Sequence, residues 1–240
     1  MSLREVAIRA RSAPKVLAFR RRRRVLARRY LRGEGLEIGA LHAPLEVANG
    51  VSVRYVDRMD VAGLRRHYPD LPVEKLVPVE VIDDGETLGS QPDSSADFIV
   101  ANHFIEHTQD PIGTLANHLR VLRSGGILFM AVPDRRRTFD VDRPGTPLEH
   151  LLGDHADGPA GTRRGHFEEW AQLVDRVPAE EVPDRVAVLE REDYSIHFHT
   201  WTAEEFHGLL DHMRTVLGMP FSIEEVVENQ HEFIVVLRRD

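Results

Sequence analysis

The sequence contains no cysteine among its 240 residues. Disulfide bonds, thiolate metal sites and a cysteine nucleophile are therefore excluded, and we expect a protein of a reducing compartment, the cytoplasm. Long apolar runs are also missing, so the sequence predicts no membrane span. Lysine is scarce, since Lys15 and Lys75 are the only lysines among 31 basic residues. This bias is typical of GC-rich bacterial genomes.

Positive charge is concentrated at the start of the chain. Residues 1–32 carry a net charge of +11, which leaves −19 for residues 33–240 because the whole chain carries −8. Apolar residues at near-helical spacing, with glycine after them, predict a basic amphipathic helix over 14–32. We expect this arm to pack on the acidic remainder. The alternatives are a lid over a binding site, or contact with nucleic acid, a membrane or a targeting receptor.

Short apolar runs separated by helical periods follow the arm. They predict strands at 36–38, 51–56 and 77–82, with a helix over 62–68 between the second and third. The most informative stretch begins at Asp97 and runs through an apolar strand to the polar residues Asn102-His103-Phe104-Ile105-Glu106-His107. Asp110-Pro111, a helical period over 112–122, Gly125-Gly126 and a second apolar run over 127–132 come next. This order is typical of a βαβ unit, and ligands collect at the carboxyl ends of such strands.

At these residues the chain resembles the class I S-adenosylmethionine (SAM)-dependent methyltransferases, of the methyltransferase type 11-like kind. The resemblance rests on the acid that opens the fourth strand, the Glu106-His107 pair, Asp110-Pro111 and the run Leu-Arg-Val-Leu-Arg-Ser-Gly-Gly over 119–126. It implies a doubly wound, Rossmann-like α/β fold with a seven-stranded, mostly parallel sheet. A helix over 203–217 and an antiparallel hairpin of 221–227 and 233–237 would complete it. We expect residues 33–240 to form one methyltransferase domain, with 135–199 as an acceptor-binding insertion between the fifth strand and the last helix.

The family's first motif, acidic-x-Gly-x-Gly-x-Gly, is incomplete in this chain. Glu37 and Gly39 are kept, while Leu41 and Ala43 replace the later glycines. The resemblance places Glu37, Gly39 and Ala40 beside SAM. Only residues 40–50 separate the first two strands, too few for an ordinary crossover helix, so SAM would meet loop backbone there.

The resemblance also implies the remaining cofactor residues, since the family's ribose-binding acid follows the second strand and its adenine-contacting aspartate commonly lies four residues before a leucine. Asp57, followed by Arg58, would accept hydrogen bonds from both ribose hydroxyls. Asp83 and Asp84 end the third strand, and Asp84 is the better candidate for adenine because it lies four residues before a leucine. Asn102 and His103 would complete the cofactor rim.

Histidines in the insertion are the candidate bases for the acceptor. His197 and His199 would point to one face of a strand, with His155 or His166 as neighbours. Surface or structural histidines, and metal binding by His197 and His199 together, are the alternatives, and we predict no metal. The spelling H-x-x-E-H over 103–107 also matches a zinc peptidase signature, but it follows a buried strand instead of lying within a long helix. Arg135, Arg136 and Arg137 suit anionic groups of a substrate or form a solvated charge run.

Together these features predict a SAM-dependent methyltransferase acting on an oxygen, nitrogen or carbon of a small molecule, such as a sugar or a natural-product intermediate in biosynthesis. Nucleic acid is not expected as a partner. One alternative is a SAM- or nucleotide-binding protein of the same fold without methyl transfer, suggested by the missing glycines. The other is an RNA methyltransferase that uses the basic arm.

Overall fold

The computed structural model describes residues 18–69 and 71–240. Within them the strands are β1 (Glu34–Ile38), β2 (Ser52–Asp57), β3 (Val81–Ile82), β4 (Ala96–Asn102), β5 (Leu122–Pro133), β6 (Phe221–Asn229) and β7 (Glu232–Arg239). The helices are α1 (18–30), α2 (Val61–His67), α3 (Pro111–Val121), α4 (Leu148–Asp157), α5 (Arg163–Leu173), α6 (Val182–Arg191) and α7 (Ala203–Thr215). No helix among the described residues is long and apolar enough to cross a membrane.

The seven described strands form one sheet in the order β3-β2-β1-β4-β5-β7-β6. The first five strands pair in parallel, and β7 is antiparallel to both β5 and β6. This confirms the predicted α/β sheet and its terminal hairpin. The chain reverses its winding direction between β1 and β4, and ligands bind at such a switch point.

Alternating side chains of the central strands fill a core on each face of the sheet. Ile99 and Ala101 of β4 face the side covered by α3 and α7, whereas Phe98 and Val100 face the side covered by α1. Asp110 caps α3 by accepting from the Gly113 amide, and a Thr202–Glu205 capping box starts α7. These caps fix where the helices begin relative to the strand ends.

Two sequence predictions about strands are wrong. The third strand is only Val81–Ile82 instead of 77–82, because Pro78 has no N–H for the ladder and the Val77 amide donates to Leu41 in a loop at 2.8 Å. Residues 197–199 are extended but pair with no strand. Their backbone is held instead by single bonds, such as that from the Phe198 amide to the Glu106 carbonyl at 2.7 Å.

The insertion over 135–199 contains α4, α5, α6 and several single helical turns. Phe167 and Trp170 of α5, Val186 and Leu189 of α6, and Phe198 form a hydrophobic cluster of their own. The insertion therefore has a packed interior, which holds the extended 196–200 segment against the sheet edge.

The described part of the predicted basic helix is α1, which packs on the body as expected; residues 1–17 of the arm lie outside the described residues. Leu26, Ala27 and Leu31 are buried in the core beneath β4 and β5. Arg29 pairs with Glu225 of β6 at 2.7 Å. Both apolar burial and charge pairing therefore join α1 to the sheet.

We expect Leu31→Ala to lower the free energy of unfolding by about 2–5 kcal/mol, because Leu31 is fully buried and its removal leaves a cavity. Val25→Ala, within α1, is the matched control. Val25 is 54% exposed, and its loss should change stability by less than about 0.5 kcal/mol. Urea unfolding measures both. Equal effects of the two substitutions would contradict the packing of α1 as part of the core.

Candidate functional site

Four neighbouring parallel strands present their carboxyl ends at one edge of the sheet. Gly39 follows β1, Asp57 ends β2, Asp83 and Asp84 follow β3, and Asn102 ends β4. Since the sheet order places β3, β2, β1 and β4 side by side, the predicted cofactor residues meet along this edge. We call it the cofactor edge.

The loop after β1 contains no helix, as its length predicted. Gly39 has a positive φ of 63°, and a side chain at this position would meet nothing within 4 Å. The Gly39 amide donates to the Val56 carbonyl at 3.0 Å, which ties the loop to β2. Backbone at Gly39 and Ala40 is therefore open to a ligand from the cofactor edge.

Glu37 lies below this edge and holds the loop. Its side chain is buried, and its two carboxylate oxygens accept from the Leu45 amide at 2.9 and 3.1 Å. Burial raises the pKa of Glu37 to about 7, although the Leu45 bond and the nearby Arg23 guanidinium lower it in part. Glu37 therefore organises the loop that replaces a crossover helix.

The two acids after β3 differ in what they are free to do. Asp83 accepts from the Asp84 amide through one oxygen, and from the Ser90 amide and hydroxyl through the other. Burial raises the pKa of Asp83, but these hydrogen bonds lower it by more, so that the pKa lies below its ordinary value. Asp84 is exposed and uses only Oδ1, which accepts from the Glu86 amide at 2.8 Å. Of this pair, Asp84 has an oxygen to offer a ligand.

Asp57 and Arg58 lie at the end of β2. Asp57 Oδ1 accepts from the Arg58 amide at 2.8 Å, and the carboxylate is half-buried. Burial raises the pKa of Asp57, and backbone hydrogen bonds lower it in part. The Arg58 guanidinium is 3.0 Å from the His67 ring instead of pairing with Asp57.

Asn102 carries the strongest sign of a missing partner at this edge. Its amide nitrogen and oxygen are buried, and neither has a hydrogen-bond partner. A buried amide without partners costs about 1–3 kcal/mol, so a ligand that satisfies it would gain that energy. His103 has a positive φ of 49° and lies 2.8 Å from Glu232 of β7. An orphaned amide, an open glycine and the strand-end acids Asp57 and Asp84 fit an adenosyl group that carries hydroxyls and an amine.

Beyond β4, the predicted bases do not form one group. His197 Nδ1 lies 2.7 Å from Asp140 Oδ2, and both residues are buried. His199 lies in a separate cluster with His166. His155 is 2.9 Å from Asp110 at the start of α3. The expected shared strand face of His197 and His199 is therefore wrong, because no neighbouring strand imposes alternation on 196–200.

Asp140 orients His197. Burial raises the pKa of Asp140, but the bond to His197 and the ion pair with Arg143, at 2.8 Å, lower it below its ordinary value. An ionised Asp140 can only accept, so His197 Nδ1 donates to it, and the neutral form of the ring then presents its lone pair on Nε2. A histidine arranged in this way can take a proton from a bound group.

Glu106 lies next to His197 Nε2, at 4.0 Å, and 3.6 Å from His103 Nδ1. It is 1% exposed, and neither of its carboxylate oxygens has a hydrogen-bond partner. The two histidines of the H-x-x-E-H sequence do not converge on one site, because His103 lies in a group with Glu232 and His107 lies in a group with His197. The peptidase arrangement is thus not formed.

Sequence reasoning missed Asp140 and Arg143 and gave Glu106 no firm role. Asp140 is 57 positions from His197, and no local pattern marks such a contact. The three arginines after β5 pair with carboxylates of the chain: Arg135 with Glu205, Arg136 with Asp134 and Arg137 with Glu228.

A sheet of this order, with ligand-facing acids at the ends of β2 and β3, defines the class I SAM-dependent methyltransferase fold. A family model described as a methyltransferase domain matches residues 11–213. The chain belongs to this family; it is a SAM-dependent methyltransferase, and its cofactor is SAM. No curated protein matches the sequence.

Solved structures resemble the chain at low sequence identity. A SAM-dependent methyltransferase from Thermotoga maritima is 16% identical, with 99% of this chain and 97% of that chain covered and a TM-score of 0.47. One from Aquifex aeolicus is 14% identical over 87% and 82% of the chains, with a TM-score of 0.46. A Rhodobacter sphaeroides protein named as a Zn-dependent alcohol dehydrogenase is 16% identical over 88% and 86%, with a TM-score of 0.50. At this identity the likeness concerns the fold alone.

If Asp57 holds the ribose, Asp57→Ala should weaken SAM binding about 10- to 100-fold, because two hydroxyl bonds to a charged acceptor are worth roughly 1.5–3 kcal/mol. Isothermal titration calorimetry measures the change. Asp211→Ala, which removes an exposed carboxylate of α7, is the control and should bind SAM normally. Unchanged affinity in a folded Asp57→Ala protein would contradict the assignment.

Glu37 should make stability fall as the pH rises. Its pKa is about 7 in the folded protein against an ordinary 4.5, so the folded state holds this proton more tightly than the unfolded chain. The resulting stabilisation is complete below about pH 4.5 and is lost as the pH passes 7. Between pH 5 and pH 8 the free energy of unfolding of Glu37→Gln should therefore rise by about 2 kcal/mol relative to that of the wild type.

Urea unfolding at each pH measures this gain, and Glu34→Gln on the same strand is the control because Glu34 is exposed. A constant difference between Glu37→Gln and the wild type across this range would show that Glu37 does not titrate as the buried geometry requires.

Proposed function

We propose that this methyltransferase acts on an oxygen, nitrogen or carbon of a small molecule, such as a sugar or a natural-product intermediate, with His197 as the base. The observation that carries the proposal is the buried Asp140–His197 pair beside Glu106. This pair lies next to the polar residues that follow β4, adjoining the cofactor edge.

The proposed cofactor contacts use the residues with free polar atoms. Asp57 would hold the ribose, Asp84 the adenine, and the orphaned Asn102 amide a polar group of the same ligand. Gly39 and Ala40 would present backbone. When bound, SAM supplies a methyl group already activated by a positively charged sulfonium.

The chain's own contribution is to place the acceptor and remove its proton. His197 Nε2 would receive the proton, and the Asp140 carboxylate would stabilise the resulting imidazolium. Glu106 lacks hydrogen-bond donors, so a hydroxyl or N–H of the acceptor is the kind of group that it can hold. Phe139 lies tilted against the His197 ring and Trp170 lies edge-on to it, at centroid distances of 4.8 and 6.0 Å. The exposed Phe139 would offer apolar surface to the rest of the acceptor.

The insertion favours a small acceptor over a polymer. Its helices have their own hydrophobic cluster and cover the 196–200 segment. Within the described part of the basic arm, Arg23, Arg24 and Arg29 of α1 pair with carboxylates of the same chain, which favours packing on the body over contact with RNA. A protein that only binds SAM would have no use for a base held by a buried carboxylate.

We expect His197→Ala to lower turnover by about 10²- to 10⁴-fold while leaving SAM affinity nearly unchanged, because it removes the base and spares the cofactor edge. Asp140→Asn should lower turnover less, since it keeps the ring and removes only the charge. Transfer of tritiated methyl groups from SAM to a panel of hydroxylated sugars and phenols provides the measurement, with SAM affinity from calorimetry.

His207→Ala removes an exposed histidine of α7 and is the control for both quantities. An acceptor from the panel that His197→Ala methylates at the normal rate would refute His197 as the base. Absence of SAM binding by the wild type would refute the proposal as a whole.

A further inference from the structure

A second group of polar side chains in the insertion is separate from the Asp140–His197 pair. It consists of His150 and Asp154 on α4, His166 on α5 and His199 in the extended segment. One donor atom from each lies within 4.8 Å of the other three. We call it the four-residue cluster.

The donor atoms of the four-residue cluster converge, and two of the buried ones have no hydrogen bond. His150 Nε2 lies 3.0 Å from His166 Nε2 and 3.1 Å from Asp154 Oδ2, and His166 Nε2 lies 4.0 Å from that oxygen. Asp154 is 2% exposed and His199 is fully buried, yet Asp154 Oδ2 and His199 Nδ1 have no hydrogen-bond partner. Buried polar atoms are rarely left in this state unless a ligand completes them.

Three of the four side chains, those of Asp154, His166 and His199, are also bonded to the protein on their outward side. Asp154 Oδ1 accepts from the Thr162 hydroxyl at 2.7 Å, and His199 Nε2 lies 3.3 Å from the Gln109 carbonyl. His166 also hydrogen-bonds the Phe198 backbone. Metal-binding histidines and carboxylates are held in this way, with the outer atom bonded to the protein and the inner atom left free.

We propose that the four-residue cluster is a binding site for a divalent transition-metal ion, for which Zn²⁺ is the best match. Three imidazoles and one carboxylate form a donor set that zinc prefers and that Mg²⁺ and Ca²⁺ do not. Zinc bonds of about 2.0–2.2 Å require ligand separations of about 3.4 Å in a tetrahedron. The observed separations bracket this value.

The proposed role is structural. Four protein ligands leave no open position for substrate, which is typical of structural zinc sites. The ion would join α4, α5 and the segment that carries His197, so that it holds the proposed base indirectly.

The other two groups of potential ligands carry less weight. In the group of His103, His231 and Glu232, the carboxylate is already paired with Arg23 of α1. In the group of Glu106, His107 and His197, His107 Nδ1 lies 2.8 Å from the Ile196 carbonyl and His197 Nδ1 lies beside Asp140. Among the described residues, only the four-residue cluster brings four potential ligands together, three of them bonded to the protein on their outward side.

The test uses the full chain without a histidine tag, loaded with Zn²⁺ and then dialysed. We expect elemental mass spectrometry to find about one zinc per chain. Substitution of the zinc by cobalt should give the visible absorption of a tetrahedral Co²⁺ ion. His150→Ala removes a ligand whose side chain is 30% exposed, so the fold should survive. Its zinc affinity should fall beyond the roughly 10- to 100-fold that loss of a second-shell partner causes. Thr162→Val removes only the hydroxyl that bonds to Asp154, so its zinc affinity should fall by no more than this roughly 10- to 100-fold.

His207→Ala again serves as the control and should retain zinc. Melting temperature gives a readout independent of turnover: at a hundredfold excess over the dissociation constant, Zn²⁺ should raise it by about 5–10 °C in the wild type. No rise is expected in the double variant His150→Ala, His166→Ala. Equal zinc retention by His150→Ala and His207→Ala would overturn the proposal, as would a wild type that neither retains zinc nor melts higher with it.

Discussion

The arrangement of the insertion depends on the guanidinium of Arg143. This residue is 2% exposed, so its charge must find partners inside the protein. It bonds to Asp140 at 2.8 Å and Glu169 at 2.7 Å, and it donates to the carbonyls of His197 and Phe198. Five donors on a rigid plane can serve all four acceptors at once. One cation thus fixes the turn before α4, helix α5 and the extended segment that carries both histidines.

The same constraint explains why neighbouring histidines take different roles. In a paired strand, residues two apart share a face, which is why the sequence predicted one face for His197 and His199. Here the carbonyls of His197 and Phe198 accept from the Arg143 guanidinium, and the Phe198 amide donates to the backbone carbonyl of Glu106. Hydrogen bonds to these buried polar groups, and not pairing with a neighbouring strand, therefore determine the path of the backbone. His197 meets Asp140, whereas His199 meets His166.

The sequence predicted the sheet well because its strands carry local signals. Apolar runs bounded by glycine or polar residues mark β1, β2, β4 and β5, and the strand ends place Asp57, Asp84 and Asn102 at the cofactor edge. The insertion could not be predicted in this way. Its contacts join residues far apart in sequence, such as Arg143 with Glu169, and a buried arginine has the same local sequence pattern as an exposed one. The first motif shows an intermediate case: its short spacing predicted a loop without a helix, but only the structure revealed that Glu37 holds that loop through the Leu45 amide.

A series of buried or half-buried charged groups joins the arm to the insertion across the end of β4. Arg23 of α1 pairs with Glu232, which lies 2.8 Å from His103. His103 and His197 flank Glu106, and Asp140 links His197 to Arg143. The arm's positive charge is thereby used inside the protein, because Arg23 neutralises a carboxylate that would otherwise be buried beside Glu106. Burial raises the pKa of Glu232, but the hydrogen bonds from Arg23 and His103 lower it below its ordinary value. The described part of the basic arm therefore sets the electrostatics of residues next to the cofactor edge through Glu232 and His103.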